Sequence, residues 1–171
     1  MYLTIKQQLK HLTKGDYENL RSLCHTAKDL TNQAIYCCRQ YFFNEHKYLG
    51  YLKVYSELKT CDNYKLISAN MSQQILKEVD GSFKSFFGLL KLVKEKGYPA
   101  SAVKIPHYLP KDGFTPLVVE DFTIHNGIFV LPYSRAYNKV HSKVKIKVPP
   151  ILRGKKVKEI RIIPKNNARF F

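Results

Sequence analysis

Acidic residues, cysteines and long apolar runs are all scarce in this sequence. Its 171 residues include 13 Asp+Glu against 29 Lys+Arg, which gives a formal net charge of +16. No apolar stretch approaches the roughly 20 residues that a membrane-spanning helix needs. Residues 1–10 also lack the apolar core of a signal peptide. We therefore expect a cytoplasmic chain that is neither a membrane protein nor a secreted one.

The four cysteines contain no C-x-x-C pair, and the six histidines are scattered along the chain. A zinc site would need four converging ligands at recognisable spacings. We predict no metal and no cofactor, and we expect the cysteines to be small, buried thiols in a reducing environment. They are Cys24, Cys37, Cys38 and Cys61.

Catalytic motifs are also missing. The sequence has no Gly-rich phosphate loop, no G-x-S-x-G and no paired carboxylate motif. Metal-dependent phosphodiester cleavage needs two or three converging carboxylates, and residues 101–171 hold only four acidic residues. We predict no catalytic residues, so this chain by itself is not expected to be an enzyme.

Basic and apolar residues, in contrast, are both abundant in this sequence. A hydrophobic content of 44% and an aromatic content of 13% exclude a disordered polybasic tail. Residues 101–171 carry 14 basic side chains against 4 acidic ones, so the charge is concentrated there. A folded, strongly basic protein favours a nucleic-acid partner, with a membrane surface or a ribosome-like scaffold as alternatives.

Helical spacing dominates the first part of the chain. A loose alternation predicts a strand up to Leu12, and Thr13 with Asp16 resembles a capping box that begins a long helix. An aromatic-rich connection with a short helix follows. A second long helix, capped by Ser72, is expected to end at Gly97 and Pro99.

After residue 99 the pattern changes to strands. Asn126-Gly127 predicts a hairpin, residues 143–148 alternate lysine with apolar residues, and residues 153–156 form a turn before another strand. A lone N-terminal strand needs partners. We therefore predict an α+β fold, in which a small β-barrel or sheet (1–12 plus 99–171) carries an inserted helical lobe (13–98).

One face of the second long helix is polar. A helical projection places Gln73, Lys77, Lys84 and Lys91 opposite its apolar stripe. The face is either ordinary solvated surface or a nucleic-acid groove. In the second case lysines contact phosphates and the Gln amide reads a base edge.

The segment from Lys143 to Arg169 forms a second candidate, which we call the basic ribbon. Like charges side by side destabilise a sheet unless something neutralises them, which favours an external polyanion. Its predicted backbone-binding residues are Lys143, Lys145, Lys147, Arg153, Lys155, Lys156, Lys158 and Arg161.

Aromatic residues crowd the connection after the first helix, interleaved with lysines. We expect Tyr41, Phe42, Phe83 and Phe86 to belong to the core. Tyr48 lies in a polar, Gly-containing segment and is the candidate for stacking on a base.

Several segments in order resemble the N-terminal half of the TnpB (OrfB-type) proteins of insertion sequences, which are RNA-guided nucleases related to type V CRISPR effectors. They are LTKGDYENLRSLCHTAKDLTNQAIY, YLKVYSELK, SQQILKEVDGSFKSFFGLLK, VKIPHYLPKDG and FTIHNGIFVLP. The resemblance covers nearly all 171 residues.

The resemblance implies a wedge domain, similar to an oligonucleotide-binding barrel, interrupted by a recognition lobe. Its implied partners are a guide RNA from the transposon end and a target DNA duplex. Tyr51 and Gln73 match positions that read a short transposon-adjacent DNA motif. Ala69 stands where some members have a lysine, so the motif read is expected to differ.

The resemblance also implies a RuvC-like nuclease segment and a zinc ribbon, and neither occurs in these 171 residues. We therefore expect a truncated, non-catalytic recognition half that acts in a prokaryotic cytoplasm and is nucleoid-associated on DNA. The alternatives are a sequence-tolerant RNA-binding protein and a nuclease half completed by a separate chain.

Overall fold

Helices occupy most of the first part of the chain, and short strands occupy the second. The structure is a computed structural model that describes residues 3–165 and 169–171. The helices are α1 (Lys14–Glu45), α2 (Tyr51–Leu58), α3 (Asp62–Leu66), α4 (Ala69–Lys96) and α5 (Arg135–Asn138). The strands are β1 (Leu117–Val119), β2 (Ile124–His125), β3 (Ile128–Val130), β4 (Lys145–Lys147), β5 (Ile160–Ile162), β6 (Pro164–Lys165) and β7 (Arg169–Phe170). The mixed α+β class predicted from the sequence is confirmed.

Helix α1 begins where its capping box predicts. The Thr13 hydroxyl accepts a hydrogen bond from the Asp16 N–H, and the Asp16 carboxylate accepts one from the Thr13 N–H. Its apolar stripe, which includes Leu20 and Leu30, is fully buried. The helix ends at Glu45, and the next residue, its C-cap His46, adopts a left-handed conformation with φ 53°.

Helix α4 begins one turn earlier than predicted. Ser68 is its N-cap, so the expectation that Ser72 caps this helix was wrong. Ser72 lies in the first turn and is fully buried, and its hydroxyl donates to the Tyr64 carbonyl at 3.0 Å. The predicted end is confirmed, because Gly97 closes the helix with φ 64°.

The two long helices pack through aromatic side chains. The ring of Phe42 meets Phe86 and Phe87 edge-on, at centroid distances of 5.6 and 5.4 Å. Phe83 and Phe86 are buried as predicted, whereas Tyr41 and Phe42 are half-buried at the edge of the core. In the described part of the chain, no helix is both long enough and apolar enough to cross a membrane.

The strands form three small antiparallel sheets, and within residues 3–165 and 169–171 they do not close into a barrel. β1 pairs with β5, β3 lies between β2 and β4, and β6 pairs with β7. The predicted hairpin is confirmed, with Asn126 at φ 51° and Gly127 at φ 76°. Leu117 and Phe129 extend the helical core into these sheets.

The predicted N-terminal strand is wrong for the described residues 3–12, which are not a regular strand. Leu3 is 83% exposed, so the loose alternation does not bury a face. The segment is nevertheless held against the C-terminal strands. The Leu9 N–H donates to the Phe170 carbonyl at 2.9 Å, and Gln7 Nε2 donates to the Lys147 carbonyl at 2.8 Å.

Polar side chains of α1 hold residues 103–115 along the helix, and we call this segment the strap. The Asn32 amide makes two hydrogen bonds to Leu109, donating to its carbonyl at 3.0 Å and accepting from its N–H at 2.8 Å. Lys28, only 2% exposed, donates to the Lys111 carbonyl at 2.8 Å and pairs with Asp29. The strap therefore runs antiparallel to α1.

Replacing Asn32 tests how far the strap depends on this amide. We expect Asn32→Ala to lower the free energy of unfolding by about 1–3 kcal/mol, because both Leu109 backbone groups lose their partner. Denaturant titration followed by circular dichroism measures the change. Gln40→Ala, at an exposed position of α1, is the control and should change stability little. Equal stability of the two variants would contradict the prediction.

Candidate nucleic-acid interface

Strand β4 presents its lysines outward. Lys145 and Lys147 are exposed, whereas the alternate side chains of Val144 and Ile146 are buried, as the alternation predicts. The register places Val130 and Ile128 across from the two lysines. No like charge therefore faces them across the ladder, and the repulsion acts between successive lysines along the strand.

Most of the basic ribbon carries uncompensated charge. Six of its eight predicted backbone-binding residues are exposed and form no ion pair with any carboxylate in residues 3–165 and 169–171. Lys158 is also exposed. Like charges that lack internal partners create a positive potential that attracts polyanions. The six are Lys143, Lys145, Lys147, Arg153, Lys155 and Lys156.

The structure adds Lys6, which the sequence reasoning missed, and places it beside the same ring as Lys165 of the basic ribbon. Lys6 Nζ lies 4.5 Å from the ring centroid of Phe171, and Lys165 Nζ lies 5.8 Å from the same centroid. Both lysines are exposed. Because Gln7 is bonded to the Lys147 carbonyl, the N-terminal segment extends the basic surface of β4. Sequence spacing carried no signal for this contact, which joins positions 140 residues apart.

Arg161 differs from the other predicted phosphate contacts because it has two carboxylate partners. Its Nε lies 2.5 Å from a Glu159 oxygen, and its Nη1 lies 3.5 Å from a Glu78 oxygen on α4. The hydrogen bond to Glu159 raises the pKa of the guanidinium above its usual value. Arg161 therefore ties β5 to α4, and its charge is matched within the protein.

Two of the three lysines on the predicted polar face of α4 form ion pairs within the protein. Lys91 pairs with Glu95 at 3.8 Å, and Lys84 pairs with Asp80 at 2.7 Å. Lys77 is exposed and makes no ion pair with the described carboxylates. Gln73 is half-buried. Gln73 and Lys77 are one helical turn apart and so lie on the same face.

Gln73 contacts the neighbouring helix α3 through Tyr64. Burial raises the pKa of the Tyr64 phenol, and a hydrogen bond with Gln73 lowers it in part. The Gln73 amide thus has an internal partner in the free protein, and reading a base edge would compete with that partner.

Three predicted site residues converge on Asp80, which the sequence reasoning did not single out. The Tyr48 hydroxyl and the Tyr51 N–H both donate to Asp80 Oδ1, the latter at 2.8 Å, and Lys84 contacts Oδ2. The Asp80 side chain is only 9% exposed. A signal was present in the sequence, since Asp80 is four residues before Lys84, the spacing at which opposite charges on a helix can pair.

These contacts shift pKa values in opposite directions. Burial alone would raise the pKa of Asp80, but the hydrogen bonds from Lys84, Tyr48 and the Tyr51 N–H outweigh it and hold the pKa below its usual value. Burial and the bond to Asp80 raise the pKa of Tyr48 far above its ordinary range. Tyr48 also packs edge-on against Phe87, so it is half-buried with its hydroxyl already bonded.

Tyr51 begins α2 and stacks on Tyr55, with ring centroids 6.1 Å apart. Its ring is half-buried. The structure therefore brings Tyr48 and Tyr51 together at one end of α2, beside Lys84. The β4 lysines belong to the separate sheet β2–β3–β4.

No group of His, Cys, Asp or Glu in residues 3–165 and 169–171 is arranged to hold a metal ion. All four cysteines are free thiols; Cys24 and Cys38 are buried as expected, whereas the expectation was wrong for Cys37 and Cys61, which are half-buried. Burial raises the pKa of Cys24 and Cys38 to about 12, as expected for inert core thiols. No protein-family model matches this chain, and comparison with curated proteins finds no significant match.

Replacing Asp80 tests its role as the connector of α2 and α4. We expect Asp80→Asn to lower the free energy of unfolding by about 1–3 kcal/mol near neutral pH, because it loses the Lys84 ion pair and weakens two hydrogen bonds. The measurement is denaturant unfolding at several pH values. Glu95→Gln, which removes a largely exposed carboxylate of α4, is the matched control.

The pH dependence has a definite sign. The pKa of Asp80 is lowered in the folded protein, so its contribution is full above the unfolded-state value of about 3.9 and is lost as the pH falls through the lower folded value. The difference between wild type and Asp80→Asn should therefore shrink below about pH 4. A difference that stays constant with pH would contradict this role.

Proposed function

We propose that this chain is a non-catalytic nucleic-acid recognition module, equivalent to the wedge and recognition half of a TnpB-like RNA-guided nuclease. The observation that carries the proposal is the set of six exposed basic side chains between residues 143 and 156 that form no ion pair with a carboxylate in the described part of the chain. A polyanion is the ligand that such a surface favours.

In this proposal the small sheets correspond to an oligonucleotide-binding-like wedge domain, and α1 to α4 correspond to the inserted recognition lobe. Support comes from the order of elements. The segment that precedes α1 in the sequence is hydrogen-bonded to strands that follow α4, so the helices are inserted between two parts of the chain that contact each other. The proposal includes a closed barrel, whereas the described strands form three separate small sheets.

The mechanism divides the task between charge and pairing. The lysines of β4, the basic residues that follow it and Lys77 hold the phosphate backbone of a guide RNA and its duplex with the target. Base pairing supplies the long sequence specificity, and Tyr51 and Gln73 read the short adjacent DNA motif. Cleavage belongs to a RuvC-like segment outside these 171 residues.

Replacing the β4 lysines tests the backbone contacts. We expect Lys145→Gln with Lys147→Gln to weaken binding to RNA by about tenfold or more at low salt. The salt slope of log K should also become shallower by one to two, because fewer counterions are released. Gel-shift titrations against transposon-end RNA, unrelated RNA and duplex DNA measure both. Lys94→Gln with Lys96→Gln removes the same charge at the end of α4 and is the control.

Two results would decide against the proposal. Equal losses in both double variants would mean that net charge alone determines binding. Equal affinity of the wild type for all three nucleic acids would contradict guided recognition, whereas equal affinity for both RNAs without binding to duplex DNA would favour the sequence-tolerant RNA-binding alternative.

Replacing Gln73 tests motif reading separately. We expect Gln73→Ala to reduce motif-dependent binding to duplex DNA by about tenfold, because one base-edge contact contributes roughly 1–3 kcal/mol of discrimination. Affinity for RNA should be unchanged. The measurement compares duplexes with and without the transposon-adjacent motif, and Gln40→Ala is the control. A parallel loss of RNA binding would assign Gln73 a different role.

A further inference from the structure

Exposed aromatic side chains are concentrated in one place on this protein. Among the described residues, four aromatic side chains are at least 40% exposed, and they are Tyr36, Phe43, Tyr98 and Tyr108. Phe43 and Tyr108 lie against Arg39, and Tyr36 is one helical turn before Arg39 on α1. We call Tyr36, Arg39, Phe43 and Tyr108 the aromatic patch.

Two segments hold the patch in place. The Arg39 Cζ atom lies 5.5 Å from the ring centroid of Phe43 on α1 and 5.2 Å from that of Tyr108 on the strap. Arg39 Nη1 also donates to the Pro106 carbonyl at 3.0 Å, which fixes the guanidinium between helix and strap. The cation is thus ordered before any ligand binds, which lowers the entropic cost of binding.

The chemistry of the patch fits unpaired bases. Aromatic rings and guanidinium planes are the groups on which bases stack in single-stranded nucleic acids, whatever the sequence. Exposed Lys104, two residues before Pro106, adds positive charge beside the rings. Asp29, about two turns before Tyr36 on α1, already has Lys28 and His25 as partners.

The patch is separate from the basic surface of β4. Tyr17, near the start of α1, contacts Phe170 in the C-terminal strands. Arg39 lies 22 residues further along the same helix, about 33 Å at the helical rise per residue. A nucleic acid held on the β4 lysines would therefore reach the patch only through a distinct segment.

We propose that the aromatic patch binds a single-stranded segment of nucleic acid by stacking unpaired bases on Phe43 and Tyr108 beside the fixed Arg39 guanidinium. The proposal rests on the proposed function, because it adds a second contact for the same class of ligand. The aromatic-patch proposal differs from the proposed function in the residues that bind and in the form of nucleic acid that is bound.

The test uses labelled 12-nucleotide oligo(dT) and oligo(U), with an RNA hairpin as the paired ligand. We expect Phe43→Ala with Tyr108→Ala to weaken binding of both single strands by about tenfold or more and to leave hairpin binding unchanged. Tyr98→Ala removes the exposed aromatic outside the patch and should have no effect. Tyr108→Phe keeps the ring and should bind like the wild type.

A crosslinking readout separates contact from indirect effects. Oligo(U) containing 5-iodouracil should crosslink to Phe43, Tyr108 or Tyr36 on irradiation, and mass spectrometry locates the site. Crosslinks confined to the basic ribbon would overturn the proposal. So would single-strand affinity that is equal in the wild type and the double variant.

The two proposals fail in different ways. If the wild type binds none of these ligands, both are overturned. If hairpin binding depends on Lys145 and Lys147 but single-strand affinity is unchanged in the patch variants, only the aromatic-patch proposal is overturned. If the patch variants lose self-association in sedimentation and keep all nucleic-acid binding, the patch is a contact between copies of this chain and the inference is overturned.

Discussion

Burial of α1 on two sides is the constraint on which the rest of the structure depends. One face of this helix is apolar and packs on α4, and the fully buried Leu20 and Leu30 lie on it. Another face is polar and carries Lys28, Asn32 and Arg39, which bind backbone groups of the strap. A single helix therefore positions the helical lobe, the strap and, through Tyr17 and Asn19, the C-terminal segments.

The local features of this fold could be predicted from the sequence because each has a short-range cause. The capping box of Thr13 and Asp16, the hairpin at Asn126-Gly127 and the stop at Gly97 all follow from neighbouring residues. The alternation around β4 likewise predicted which lysines face outward. Pairing partners were not predictable, because β1 pairs with β5 across more than 40 residues and nothing local encodes that choice.

The basic residues of the candidate site could be predicted from the sequence, but the contacts that its residues make within the protein could not. Lysine spacing identified the basic ribbon, yet Arg161 is matched by Glu78 on a distant helix. Tyr48, Tyr51 and Lys84 were predicted as separate ligand contacts, whereas the structure joins them at Asp80. Internal partners of this kind depend on tertiary packing, so residue type and periodicity cannot reveal them.

The bond from Asp80 to the Tyr51 N–H also has a consequence for the order of folding. Gly50, the N-cap of α2, has no side chain to satisfy the first N–H groups of that helix, and Asp80 on α4 accepts from one of them, the Tyr51 N–H. A helix of eight residues is too short to persist alone in water. We therefore expect helix α2 to form together with its docking on α4 or after it, which makes the connection between the long helices a dependent folding unit.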